Sequence, residues 1–274
     1  MSRLIDASSL RDRLGQAGLL LVDVRGDQAW RTGTIPGAVN LNVYDYFIPQ
    51  SDGAGFAELE RAIAAAFAAI GATDARTVVF FEEQTGMVSP RGLWFLDYTG
   101  HDGGLVLDGG LDAWTAAGGA LTPGDGAQAE IVSSPYHPPV EPMRRELIAS
   151  IDDVATAGPE VDVLDVRRPT EFQGTFAHDC CARAGRIPGA KFLFYEDLLD
   201  AGRYRPAADL RRLFATAGLS PQRPVVTYCH RGARAATAYV ALREAGFDDV
   251  RIFVGSWHEW AWRSDLPLAA GPAA

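Results

Sequence analysis

The sequence predicts an α/β protein of two similar domains, each with a mainly parallel sheet that carries helices on both faces. Short runs of β-branched and aromatic residues alternate with longer segments of helix-forming residues, as is typical of buried parallel strands. The same motifs also occur twice, in the same order. With 274 residues, 47% of them hydrophobic, the chain can form two cores of ordinary size.

In the first half of the chain, apolar periodicity predicts three strands and two helices. The strands are expected over 19–24, 77–81 and 105–107, and the helices over 56–70 and 90–98. Because strands and helices alternate, the strands are expected to form a parallel sheet.

The second half repeats the first. Four pairs of segments match in order: 20–25 with 163–167, 33–38 with 185–190, 77–81 with 224–228, and 108–114 with 254–260. The first pair shares Asp-Val-Arg and the second shares Ile-Pro-Gly-Ala. A conserved order of this kind indicates a duplicated domain.

A segment rich in proline and glycine separates the two copies. Proline removes a backbone donor and glycine weakens regular elements, so this segment is predicted to be a linker. We therefore expect an N-terminal domain over 1–125, a linker over 126–142 and a C-terminal domain over 143–274.

The composition excludes several classes of protein. The net charge of −10, with no long basic run, argues against nucleic acid as a partner. No apolar run of 18 residues and no charged-then-apolar leader is present, so we expect no membrane association and a cytoplasmic location. Three cysteines, two of them adjacent, form neither a disulfide framework nor a CxxC metal spacing, which predicts reduced thiols and no metal.

The sequence around Cys229 indicates a chemically active cysteine. A predicted strand over 225–228 ends at this cysteine, and a helix is expected over 235–244. The amides of such a turn and helix start carry partial positive charge and stabilise a thiolate. The intervening loop adds groups that would bind an anion: His230, Arg231, Gly232, Ala233 and Arg234. A nucleophilic cysteine acting on a small anion is predicted, the alternative being a buried structural cysteine.

Taken together, these motifs resemble the rhodanese superfamily, specifically the tandem-domain sulfurtransferases for thiosulfate and 3-mercaptopyruvate. The resemblance covers nearly the whole chain. It implies that Cys229 carries a persulfide, without a metal or organic cofactor, and that the C-terminal copy is catalytic. The first copy has Glu82 at the matching position, as expected for a copy that has lost its nucleophile.

The resemblance also implies a small anionic sulfur donor and a thiophilic acceptor, either cyanide or a thiol, with thioredoxin as one candidate. In the family, the loop of thiosulfate enzymes tends to have the sequence Cys-Arg-Lys-Gly-Val-Thr. The loop of mercaptopyruvate enzymes tends to have the sequence Cys-Gly-Ser-Gly-Val-Thr. His230 and Arg231 favour thiosulfate, with 3-mercaptopyruvate as the alternative. Arg234 departs from both patterns, because it replaces the hydroxyl residue.

Further site residues are implied in an insertion of the second copy, over 173–185. In the family this region supplies an arginine that binds the donor, and Arg183 and Arg186 are the candidates, each with a solvated surface arginine as the alternative. Asp165 is expected to orient a loop or to pair with Arg167. Three tryptophans could form a wall of the acceptor site or pack in the core: Trp257, Trp260 and Trp262.

Two other functions compete with sulfur transfer. Phosphatases of related fold need Cys-x5-Arg, whereas here the arginine follows at Cys-x4-Arg, a shorter loop that fits a single sulfur better than a phosphate. A non-enzymatic binding module is expected for the first copy, and Cys229 argues against it for the second. Cys180 and Cys181 are expected either on a surface loop or as a redox pair for Cys229.

Overall fold

The computed structural model describes residues 2–125 and 143–272, so the predicted linker lies outside the described residues. By its contacts the chain divides into two compact units. The first comprises Met1–Tyr46, Glu60–Arg144 and Leu199–Tyr204, and the second comprises Phe47–Leu59, Arg145–Leu198 and Arg205–Ala274. A short segment from each half of the sequence therefore belongs to the other unit. The boundaries predicted for the two domains stay a prediction.

Five strands of the first half form a sheet in which every pairing is parallel. They are β1 (Leu4–Ile5), β2 (Leu19–Asp23), β3 (Val39–Asn40), β4 (Thr77–Phe81) and β5 (Gly104–Leu107). Their order in the sheet is β1-β5-β4-β2-β3. The three predicted strands are confirmed within a residue or two of each end.

Five helices accompany these strands: α1 (Ala7–Arg11), α2 (Asp27–Thr32), α3 (Gly53–Ala69), α4 (Ser89–Tyr98) and α5 (Gly110–Ala116). The predicted helices over 56–70 and 90–98 correspond to α3 and α4. Short helices α1, α2 and α5 were outside the prediction, because five to seven residues give too little periodicity to detect.

Residues 143–272 contain seven strands: β6 (Ile148–Ala149), β7 (Asp162–Asp165), β8 (Lys191–Phe192), β9 (Leu199–Asp200), β10 (Arg203–Tyr204), β11 (Val225–Tyr228) and β12 (Val250–Phe253). Five of them form a parallel sheet in the order β6-β12-β11-β7-β8, while β9 and β10 pair as an antiparallel hairpin. The helices are α6 (Ile151–Ala155), α7 (Pro169–Gln173), α8 (Ala207–Thr216), α9 (Ala233–Glu244) and α10 (Ser256–Trp262). None of the helices in the described part of the chain is both long and apolar enough to span a membrane.

The two five-stranded sheets have the same strand order, which confirms the predicted duplication and the α/β class. The Asp-Val-Arg motif makes the same contacts in both copies. Arg25 and Arg167 each bond the aspartate two residues earlier, and each donates to a glycine carbonyl, that of Gly33 in one copy and Gly185 in the other. The predicted pairing of Asp165 with Arg167 is thus confirmed, at 2.6 Å.

Each unit has its own apolar core against its sheet. In the second unit the core includes Tyr228, Phe253, Trp257 and Trp260. Trp257 and Trp260 are 2% exposed, so core packing accounts for them, whereas Trp262 is 62% exposed. Helix α9 is buried from Ala235 to Leu242, because alanines let it lie close to its neighbours.

Candidate active site

Cys229 lies directly after β11 and before α9, at the carboxyl edge of the parallel sheet. Ligands in open α/β sheets bind at this edge. The side chain is 1% exposed, and its Sγ accepts a hydrogen bond of 3.1 Å from the amide of Gly232. Gly232 has a φ of 86°, and a Cβ there would lie 3.3 Å from the carbonyl oxygen of Val254. Glycine therefore allows the turn that aims this amide at the sulfur.

The first residues of α10 hold the Cys229 loop through backbone hydrogen bonds. The amides of Trp257 and His258 donate to the carbonyls of Cys229 and His230, both at 3.0 Å. Ser256 accepts from the Cys229 amide at 3.2 Å and donates to the carbonyl of Phe253 at 2.8 Å. These contacts orient the backbone that carries the thiol.

Ser256 has a φ of 54°, a left-handed conformation that is strained for a residue with a side chain. Its two hydrogen bonds hold it there. Sequence reasoning missed this residue, although Gly110 stands at the matching position of the first copy and also has a positive φ, of 56°. The signal in the sequence was that the second copy has a serine where the first copy has a glycine.

The two loop arginines differ in their partners. Arg231 is exposed, and its guanidinium lies 4.7 Å from the ring centre of Phe47. Within residues 2–125 and 143–272, no carboxylate lies within ion-pair distance of it. Arg234, in contrast, donates two hydrogen bonds to Glu171, at 2.6 and 3.0 Å. Arg231 is therefore the loop arginine whose charge no carboxylate of the described residues balances.

Glu171 is a site residue that the sequence did not reveal. Although burial opposes its ionisation, the hydrogen bonds and charge of Arg234 lower the pKa of Glu171 to about 2. Burial likewise opposes the charge of Arg234, but Glu171 and the nearby Cys229 sulfur raise its pKa. The pair is thus ionised.

His230 does not contribute a positive charge to the loop. Burial, followed by the charges of His178 and Arg231, lowers the pKa of His230 to about 3. Its ring is therefore neutral near pH 7. It lies against the ring of His178, tilted by 35° with ring centres 3.9 Å apart, and it faces the sulfurs of Cys180 and Cys181.

Arg183 donates to four backbone carbonyls near the end of α10, at 2.6 to 3.2 Å. Arg186 donates to the carbonyls of Phe172, Gly271 and Pro272 at 2.7 to 3.3 Å. These bonds occupy both guanidinium groups. The contacts favour a structural role for each arginine, and binding of the donor by either one stays a prediction.

Comparison with known proteins identifies the family of this chain. The model of the rhodanese-like domain matches residues 6–117 and again 145–262. This chain belongs to the rhodanese-like family. A thiosulfate sulfurtransferase of Pseudomonas aeruginosa is 30% identical over 272 residues, 96% of each chain. A probable 3-mercaptopyruvate sulfurtransferase of the same organism is 32% identical over 288 residues, 98% of this chain and 99% of the other.

The fold of the rhodanese-like chain also matches a solved enzyme of anaerobic ergothioneine biosynthesis from Chlorobium limicola, in complex with trimethyl histidine. The TM-score is 0.81 at 21% identity, over 99% of this chain and 71% of that one. At that identity the likeness shows the fold alone. The predicted family and fold class are confirmed by these matches.

The first rhodanese-like domain has its own carboxylate where the second has a thiol. Oε1 of Glu82 accepts hydrogen bonds from the amides of Gly86, Val88 and Ser89, at 2.9 to 3.2 Å, and from the Ser89 hydroxyl at 2.9 Å. Burial raises the pKa of Glu82, and these four donors oppose that shift. The Glu82 carboxylate thus accepts several donors of its loop, where the Cys229 sulfur of the other domain accepts the amide of Gly232.

We expect Glu82→Cys, made in a Cys229→Ser background, to give no sulfur transfer above background. The first loop carries Gln84 and Met87 where the second has Arg231 and Arg234, so a new thiol there would lack a cation to stabilise its thiolate. Cyanolysis of thiosulfate by the purified double variant is the measurement. Turnover in that variant would show that backbone amides suffice and that loop charge matters little.

Proposed function

We propose that this protein is a sulfurtransferase that moves the outer sulfur of thiosulfate, through a persulfide on Cys229, to cyanide or a thiol. The observation that carries the proposal is the buried Cys229 sulfur at the end of β11, bonded by the Gly232 amide beside the exposed cation of Arg231. Relatives named thiosulfate sulfurtransferase, matched over nearly their whole length, support it.

In the first half of the proposed reaction, the Cys229 thiolate attacks the outer sulfur of thiosulfate. A sulfur–sulfur bond forms to Cys229, the bond within thiosulfate breaks, and sulfite leaves with the electron pair. In the second half, cyanide or a thiolate attacks the outer sulfur of the persulfide, and Cys229 leaves as a thiolate. The Gly232 amide stabilises negative charge on sulfur at each stage.

The choice of thiosulfate depends on Arg231. A sulfonate-like dianion needs a positive partner, and Arg231 has no carboxylate partner within the described part of the chain, whereas the charge of Arg234 is balanced by Glu171. Arg234, which the sequence suggested as a second anion-binding group, therefore contributes less than Arg231. 3-Mercaptopyruvate is the second candidate, since one relative of 32% identity is a probable 3-mercaptopyruvate sulfurtransferase.

Side-by-side kinetics with thiosulfate and 3-mercaptopyruvate test this proposal. We expect wild type to favour thiosulfate in kcat/KM and Arg231→Ala to lower that value about tenfold, since the arginine is exposed and its charge is screened. Arg212→Ala is the matched control, because it removes an exposed arginine from α8 in the same unit. A preference for 3-mercaptopyruvate in wild type, or equal losses in both variants, would overturn the assignment of the donor.

We also propose that the protein works in the cytoplasm, with a small thiol or thioredoxin as the acceptor. All three of its cysteines carry free thiols, as a reducing compartment favours. A persulfide requires a thiophilic acceptor, cyanide or a thiol, to complete the cycle. Stopped-flow reduction of persulfidated protein by reduced thioredoxin, compared with glutathione, measures which acceptor is faster.

A further inference from the structure

Two thiols and two imidazoles meet in the second unit, beside the Cys229 loop. They belong to Cys180, Cys181, His230 and His258, and their ligand atoms all lie within 4.8 Å of one another. The sulfur of Cys180 is 3.4 Å from Nε2 of His230, and the sulfur of Cys181 is 3.7 Å from Nδ1 of the same ring. The thiol of Cys229 is outside this cluster.

This set of ligand atoms has the chemistry of a zinc site. Zn²⁺ takes four sulfur and nitrogen ligands in a tetrahedron, with Zn–S of about 2.3 Å and Zn–N of about 2.0 Å, which separates a sulfur from a nitrogen by roughly 3.5 Å. The 3.4 Å between Cys180 and His230 fits that edge.

An unpartnered nitrogen of His258 is a second observation at this cluster. Nδ1 of His258 is buried and has no hydrogen-bond partner in the part of the chain that the structure describes. Such a polar atom needs an explanation, and a bound cation supplies one.

The backbone already holds the ligands in place. The carbonyl of Cys180 accepts from the indole of Trp262 at 2.9 Å, and the amide of Cys181 donates to the carbonyl of His178 at 2.8 Å. The amide of His258 bonds the carbonyl of His230. Little conformational order would therefore have to be gained on binding.

We propose that Cys180, Cys181, His230 and His258 bind one Zn²⁺ ion. The two thiols release their protons to solvent on binding, so that two thiolates balance the charge of the ion. A rival set of ligands contains Glu171, His178 and His230. It is disfavoured because Glu171 already accepts two hydrogen bonds from Arg234 and lies 3.1 Å from Nε2 of His178.

Titration of the reduced, metal-free protein with Co²⁺ as a spectroscopic probe tests the site. We expect about one Co²⁺ per chain, thiolate-to-cobalt charge-transfer absorption, the strong visible bands of tetrahedral cobalt, and loss of all these bands on addition of Zn²⁺. Cys180→Ser with Cys181→Ser should abolish the charge-transfer absorption. His258→Ala should weaken binding by at least about tenfold.

Two control variants separate this site from its rivals. Cys229→Ser should bind Co²⁺ as wild type does, and so should His178→Ala, with circular dichroism confirming that each variant is folded. The proposal is overturned if wild type shows no thiolate charge transfer, if Cys229→Ser removes it, or if His178→Ala weakens binding while His258→Ala does not. None of these readouts depends on sulfur-transfer activity, so they stand apart from the proposed function.

Discussion

Replacing Cys229 with serine is expected to abolish sulfur transfer while leaving the fold intact. The sulfur is buried and accepts the Gly232 amide, and a hydroxyl of similar size can keep that bond but cannot form a persulfide. Wild-type protein treated with thiosulfate should gain the mass of about one sulfur atom on the peptide that contains Cys229. Cyanolysis rates and peptide mass spectrometry measure both effects.

The control for this prediction is Cys180→Ser with Cys181→Ser, which removes both other thiols of the chain. That variant should still gain the sulfur on Cys229. Activity in Cys229→Ser, with the added sulfur on Cys180 or Cys181, would show that one of these residues is the nucleophile. The assignment of the active site would then move to the segment before β8.

Asp165→Ala is expected to destabilise the second unit by about 3–5 kcal/mol, because it leaves a buried cation without its partner. The carboxylate of Asp165 accepts from the Arg167 guanidinium and, at 2.6 Å, from the hydroxyl of Tyr228. Its side chain is fully buried and that of Arg167 is 1% exposed. Water cannot replace the lost contacts. Urea unfolding followed by tryptophan fluorescence measures the change, and hydrogen exchange of β11 amides assigns it to the second unit.

The duplication supplies a matched control in Asp23→Ala. Asp23 is equally buried, but its partner Arg25 is 13% exposed and also pairs with Glu83 at 2.7 Å. The remaining cation would thus keep a carboxylate and some water, so we expect a smaller loss of stability than in Asp165→Ala. Equal losses of stability in the two variants would mean that burial of the arginine does not determine how much stability is lost.

Local sequence was enough to predict the parts of the fold that depend on nearby residues. The apolar runs at 19–24 and 77–81 read as buried strands because they are short and almost continuously apolar, as strands covered on both faces are. The repeated motifs predicted a duplicated parallel sheet, and they placed Cys229 at the end of a strand. An alternating strand and helix pattern allows few other arrangements, since crossover connections between parallel strands have one hand.

What the sequence by itself determined is therefore the α/β class, the duplication, the family resemblance and the position of Cys229. Only the tertiary structure decided which loop arginine lacks a carboxylate partner among the described residues, because Glu171 and Arg234 are far apart in the chain and meet only in the folded unit. It also decided that Arg183 and Arg186 bond backbone carbonyls, and that two adjacent cysteines face two histidines in the absence of any metal-binding spacing in the sequence. Contacts between distant segments depend on how the sheet brings loops together, and no local pattern of residues encodes them.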